Sequence, residues 1–197
     1  RRIGKYPVKA KIGEGATSEV FLAHDPFRGH DVAIKRVRRS ALIDAREAHF
    51  QKRFFAAEAA LVGQLHHPNV VQILDAVSEG EELPYLVMEH VPGGTLRRYC
   101  RADALLPLAQ VIEIGFKCAM ALNYCWRQGL IHRDVKPANV LLTRAGEPKV
   151  TDLGLAKCLE ESGLGTLTQI GTTMGTLTYM PPEQLLDARS ADARSDV

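Results

Sequence analysis

Between Ile131 and Gly154 the chain reads IHRDVKPANVLLTRAGEPKVTDLG, with polar residues at spacings that could do chemistry. Val140-Leu141-Leu142 is a short apolar run of strand character. Residues 144–147 form a polar turn containing Gly146, and residues 148–151 can run back beside the first strand. A hairpin returns the residues flanking its strands to one end, so Asn139 and Asp152 should lie side by side. Two oxygen-bearing side chains at an open end suit a hard divalent cation that keeps some of its waters, as Mg²⁺ does. Upstream, Pro137 lacks a backbone donor and keeps residues 134–139 out of regular structure, which carries Asp134 and Lys136 over the same site. A carboxylate, an ammonium and a metal-holding pair converging on one point make machinery for phosphoryl transfer. The competing reading is a capped surface hairpin with incidental acids.

The elements that must position these residues are legible on both sides. Residues 6–12 alternate as a strand, and residues 19–23 read as its antiparallel partner. The tip between them is Gly13-Glu14-Gly15-Ala16-Thr17-Ser18. Two glycines allow backbone amides to approach phosphates without Cβ clashes, although alone this motif is weak and a plain hairpin turn serves as well. A dinucleotide fold would need a helix directly afterwards, and residues 19–23 look like strand instead. Residues 31–35 make a third strand ending in Lys35. Residues 45–65 are helix-prone, with Phe54, Phe55, Leu61, Val62 and Leu65 as the apolar face. A strand at 71–74 and a buried-type strand at 85–89 lead to the flexible connector 90–94. Thr95 can cap a short helix to about Arg101, and Pro107 suits the first turn of a long helix over 108–127. Leu108, Val111, Ile112, Cys118, Leu122, Cys125 and Trp126 form its expected buried stripe. His66 and His67 lack a nearby third ligand, so turn and cap roles are favoured over a metal.

With 197 residues the chain is long enough for one compact domain or two small lobes. Its 25 Lys and Arg barely exceed its 23 Asp and Glu, which implies no broad polyanion-binding surface and no nucleic-acid partner. The run Lys35-Arg36-Val37-Arg38-Arg39 reads as a solvated strand end, since no aromatic platform accompanies it. Cys100, Cys118, Cys125 and Cys158 show no C-x-x-C spacing. Cys118 and Cys125 fall on one helical face about 10 Å apart, too far for a bridge, and read as buried free thiols in a reducing compartment. No apolar run is long enough to span a bilayer and no signal peptide opens the chain, so a cytoplasmic location is expected, with any membrane anchor lying beyond Val197.

His132-Arg133-Asp134-Val135-Lys136-Pro137-Ala138-Asn139 resembles the catalytic loop of the protein kinase family, and Asp152-Leu153-Gly154 resembles its metal-binding triplet. The glycine hairpin and Val32-Ala33-Ile34-Lys35 match the family's phosphate cover and phosphate-pairing lysine. The resemblance extends from Tyr6 to Asp196 and implies roles residue by residue. Asp134 would orient the acceptor hydroxyl and take its proton, and Lys136 would offset charge on the transferring group. Asn139 and Asp152 would hold Mg²⁺, and Lys35, fixed by Glu58 with Glu47 as the competing candidate, would position the phosphates of ATP. Ile12, Gly13, Glu14, Gly15, Ala16, Thr17 and Ser18 would cover the nucleotide. Val20, Ala33 and Leu141 would sandwich the base, Met88 would back the pocket, and backbone groups of Glu89 and Val91 would bond adenine. The chain departs from the pattern at Ser18 for a third glycine, Leu153 for phenylalanine and Pro181 for alanine.

After Gly154, residues 155–179 show no sustained period and read as a long loop. Residues 175–183 resemble the end of the family's activation segment. Thr168, Thr172 and Thr173 are candidate autophosphorylation sites, where a phosphate could pair with Arg133; an unmodified, solvated threonine is the alternative at each. Asp196 matches the aspartate that supports the catalytic loop from the next helix. The implied fold is α+β and two-lobed: an antiparallel sheet lobe over 1–89, and a mainly helical lobe over 90–197 that is incomplete in this chain, leaving apolar surface exposed. The implied activity is transfer of the ATP γ-phosphate to Ser or Thr hydroxyls of protein substrates. A pseudokinase or scaffold that binds partners without turnover is the alternative, and a small-molecule phosphotransferase of related fold is disfavoured by the 175–183 segment.

Overall fold

The computed structural model describes residues 1–15, 18–39, 63–77, 83–153, 178–186 and 192–196. These divide into two compact units, one made of residues 1–64 with 72–90 and the other of residues 65–71 with 91–197.

The first unit is built on an antiparallel sheet of six strands: β1 (Arg2–Ile3), β2 (Tyr6–Glu14), β3 (Ser18–Asp25), β4 (His30–Val37), β5 (Ile73–Val77) and β6 (Tyr85–Glu89). Their order across the sheet is β1-β2-β3-β4-β6-β5. Alternation assigns the two faces. Phe21 stands opposite Ile34 and Ile34 opposite Val87. With Ile3, Tyr6, Ala23, Val32 and Tyr85 they form a core cluster in which every member is buried. Val20 opposite Lys35, Leu22 opposite Ala33, and Ala33 opposite Met88 lie on the other face. The sheet curls far enough for its margins to meet, because the Tyr6 hydroxyl on β2 donates to the Asp75 carboxylate on β5 at 2.9 Å. Lys5 adds an ion pair to the same carboxylate at 3.1 Å. The Tyr6 ring meets Tyr85 edge-on, with centroids 6.4 Å apart.

The helix expected over 45–65 lies largely outside the described residues; its last positions, 63–65, are turn and irregular chain. The strand expected at 71–74 instead begins at Ile73, because the Val71 amide is taken by the Val150 carbonyl at 2.8 Å in the second unit. Residues 65–71 are stitched onto that unit throughout. The Val150 amide donates to the Asn69 carbonyl, and the Asn69 side-chain nitrogen donates to the Pro148 carbonyl, each at 2.8 Å.

The second unit contains α1 (Leu108–Arg127), the hairpin of β7 (Val140–Leu142) and β8 (Pro148–Val150), and the short helix α2 (Pro182–Leu186). Single 3₁₀ turns occupy Leu96–Tyr99, Pro137–Asn139 and Ala193–Asp196. Thr95 makes no side-chain cap to the first of these turns, and its backbone bridges to Leu141 instead. The expected buried stripe of α1 is corrected. Leu122 and Cys125 are buried, but the other buried residues are Ile114 and Ala121, whereas Leu108 is 73% exposed and Val111, Ile112 and Trp126 are exposed too. The helix has apolar residues on more than one side, and it is the Ile114–Cys125 side that packs on β8 and the Ala193–Asp196 turn.

Candidate active site

The hairpin forms as the turn chemistry requires. Val140 pairs Val150 and Leu142 pairs Pro148, while the Thr151 amide donates to the Asn139 carbonyl at 3.0 Å. Asn139 and Thr151 are thereby neighbours, and Asp152 follows at the same end of the hairpin. The Asn139 side chain is buried, and its amide nitrogen donates to both the Asp134 backbone carbonyl and the Asp134 carboxylate at 2.9 Å. Lys136 brings its ammonium to the same carboxylate oxygen at 2.7 Å. Ammonium and carboxamide therefore meet at one carboxylate oxygen. Residues 134–136 are irregular, and Pro137 opens a 3₁₀ turn where unbroken irregular chain was expected. The Asn139 nitrogen is engaged, its oxygen is the atom that could meet a cation, and Asp152, two residues past β8, is exposed. Two oxygens with the remaining positions left to water fit Mg²⁺. Among the described residues, no group of three or more His, Cys, Asp or Glu forms a metal cluster.

The loop is held from beneath by buried polar groups. Asp196 accepts the His132 and Arg133 amides, each at 2.7 Å. His132 is fully buried; its Nε2 lies 3.0 Å from the Thr151 carbonyl, and its Nδ1 lies 3.3 Å from the Asp134 amide. A carbonyl on one side and an N–H on the other are both satisfied by the tautomer with its proton on Nε2. Arg133 (φ 63°) and Asp152 (φ 57°) adopt left-handed backbone, a strained choice for non-glycine residues that the surrounding bonds enforce. The sequence reading had no sign of Gln184, which is buried on α2 and donates to the Arg133 carbonyl at 3.0 Å. Glu183 beside it accepts from the Ser195 hydroxyl at 2.7 Å. The histidine pair is structural: the His67 ring lies against Tyr124 with centroids 5.2 Å apart, and its Nδ1 accepts the Asn69 amide.

In the first unit, Lys35 shares a sheet face with Val20, Ala33 and Met88. Gly13 stands opposite Val20, and a Cβ on it would lie 3.2 Å from the Val20 Cβ. The Gly15 amide donates to the Ser18 carbonyl at 2.8 Å, closing the hairpin base. Ile12 is exposed, and Glu14 turns its side chain to Lys11 and Arg38. The Glu89 amide is committed to the Gln72 carbonyl at 3.0 Å. Val91 and Leu141 belong to the second unit, Val91 buried and Leu141 partly so. Ala16, Thr17, Glu58, Gly154, Thr168, Thr172 and Thr173 lie outside the described residues.

The family model for the protein kinase domain matches residues 6–197. The chain belongs to the protein kinase family. It is similar to a probable serine/threonine-protein kinase of Streptomyces coelicolor, 39% identical over 100% of this chain and 29% of that protein. A probable serine/threonine-protein kinase of Corynebacterium efficiens is 39% identical over 98% of this chain and 29% of its own length. Serine/threonine-protein kinase PknB of Mycobacterium leprae is 40% identical over 98% of this chain and 30% of its own length. The chain thus spans about a third or less of these curated relatives. Family membership fixes the fold as that of a protein kinase, with the sheet unit and the α1-containing unit as its parts. Among the described residues no helix is long and apolar enough to cross a membrane.

Proposed function

We propose that this chain is the catalytic portion of a cytoplasmic serine/threonine protein kinase that uses Mg-ATP. The observation that carries the reading is the Asp134 carboxylate, met by the Lys136 ammonium at 2.7 Å and the Asn139 amide at 2.9 Å. A fixed base beside a fixed cation is what in-line transfer to a hydroxyl needs. The Ser or Thr oxygen of a protein substrate forms a bond to the γ-phosphorus as the bond from that phosphorus to the β–γ bridging oxygen breaks and ADP departs. The hydroxyl proton passes to Asp134. Lys136 faces the negative charge on the transferring group. Asn139 and Asp152 would hold Mg²⁺, which when bound offsets phosphate charge.

In the same reading, residues 1–89 form the nucleotide lobe and residues 90–197 a partial substrate lobe. Lys35, with Glu58 as its partner, orients the phosphates under residues 12–18. Val20, Ala33, Met88, Glu89, Val91 and Leu141 hold the base. At least one of Thr168, Thr172 and Thr173 is its autophosphorylation site, Thr168 being the first candidate. The test is transfer of labelled phosphate from ATP to a generic basic protein, with Asp134→Ala in parallel. Signal in the unsubstituted protein that falls by at least 100-fold in the variant supports the reading; equal signals defeat it.

A further inference from the structure

An ion network surrounds the base of the glycine hairpin, and the reaction scheme above makes no use of it. Glu14 ends β2 and stands opposite Glu19 on β3. Lys11 bridges the two carboxylates at 2.6 and 2.8 Å. Arg36 on β4 reaches Glu19 at 3.3 Å, and Arg38, just past the end of β4, pairs with Glu14. The Arg36 guanidinium also lies 4.9 Å from the centroid of the buried Phe21 ring. Exposed ion pairs contribute little singly. Here, however, the arginine side chains are only 15% and 23% exposed, and five charged groups interlock. The network sits beside one of the two places where the β2–β3 register shifts, between Lys11 and Gly13. The Lys11 bond holds the Glu19 carboxyl below its ordinary range; burial opposes this, and Arg36 adds to it. The basic run 35–39 is therefore not the solvated strand end that its composition implied.

We infer that Lys11, Arg36 and Arg38 are positioning residues for the nucleotide phosphates: by gripping Glu19 and Glu14 they fix both strands of the glycine hairpin to β4, the strand that carries Lys35. Hairpin amides and lysine ammonium then present as one phosphate-binding unit. The inference rests on the proposed kinase reading and adds residues outside the phosphate cover itself. The network grips the hairpin beside its phosphate-covering tip, and Val20 of the same hairpin faces the base, so its loss weakens binding of ligands that carry phosphates more than that of adenosine.

The test compares ATP, ADP and adenosine in calorimetric titrations with Mg²⁺ present, for the unsubstituted chain, Arg38→Gln, Arg36→Gln and Arg38→Lys. ATP and ADP affinity is expected to fall about fivefold in the two glutamine variants, with a clearly smaller loss for adenosine. Arg38→Lys should recover part of the loss, and the differences should narrow near 1 M salt, where charges more than about 3 Å apart are screened. Equal losses for ATP and adenosine, or no loss, overturn the positioning role while leaving the kinase reading intact. An unsubstituted chain that binds neither ATP nor adenosine overturns the kinase reading and this inference together.

Discussion

Asp196 holds the backbone of His132 at 2.7 Å across 64 residues of sequence, and its second oxygen takes the Arg133 amide at the same distance. One buried carboxylate thus bends the chain that enters the catalytic loop. Asp196→Asn replaces one acceptor oxygen with a donor and sets it against a backbone N–H. A loss of about 2 kcal/mol is expected, which in a chain this size is about 4–8 °C in melting temperature. In steady-state kinetics kcat should fall at least tenfold with little change in the KM for ATP. An unaltered kcat would remove Asp196 from the support of the loop.

Asn139 holds Asp134 through its nitrogen, and in the proposed reading its oxygen would meet Mg²⁺. Asn139→Ala should raise the Mg²⁺ concentration needed for half-maximal activity and also lower activity at saturating Mg²⁺, because Asp134 loses a restraint. A magnesium titration separates the two effects. Recovery of full activity at high Mg²⁺ would restrict Asn139 to metal binding.

Gly93 leaves no room for a side chain. Its amide donates to the Leu142 carbonyl at 2.8 Å, and a Cβ there would lie 2.3 Å from the same oxygen and 2.6 Å from the Thr143 carbonyl. Gly93→Ala must push backbone aside, at about 3 kcal/mol. Gly29→Ala, at φ +71° with open space around it, should cost only about 1 kcal/mol. Thermal melts of the two variants should differ accordingly, and equal shifts would contradict the packing around Gly93.

The thiols should differ in reactivity. Burial raises both Cys118 and Cys125 to about 11, with the Asp196 carboxylate adding to the effect at Cys125, whereas Cys100 is exposed. Alkylation near pH 8 followed by peptide mapping should modify Cys100 well before Cys125. Linkage sets the sign for stability: the unfolded thiols ionise above about 8.5 while the folded ones stay neutral. Stability should therefore decline as pH rises from about 8.5 towards 11. Replacing Cys118 and Cys125 with alanine should flatten that decline.

How far the sequence could be read depended on the range of the interactions. The β7–β8 hairpin, which returns Thr151 to Asn139, was legible because turn residues, strand run and proline act over a few positions. The α1 boundaries matched for the same reason, since a proline start and a glycine after the end are local signals. Which side of α1 is buried was not legible: Leu108 and Ile112 are as apolar as Ile114 and Leu122, and only the packing partner chooses between them. The same limit hid Gln184, whose bond to Arg133 spans 51 residues, and the seating of His67 on Tyr124. The charge run after Lys35 was misjudged because its neutralising acids, Glu14 and Glu19, come from earlier strands.

The bond from Tyr6 to Asp75 has a mechanical consequence. An open sheet can be peeled from its rim one strand at a time, whereas here β2, next to the rim, is laced to β5 at the far edge, so β2 is held until the lace is cut. Removing a single oxygen with Tyr6→Phe should convert all-or-none opening into fraying from the N-terminus. A protease would then find its first foothold at β1 and β2, well before the rest of the sheet gives way.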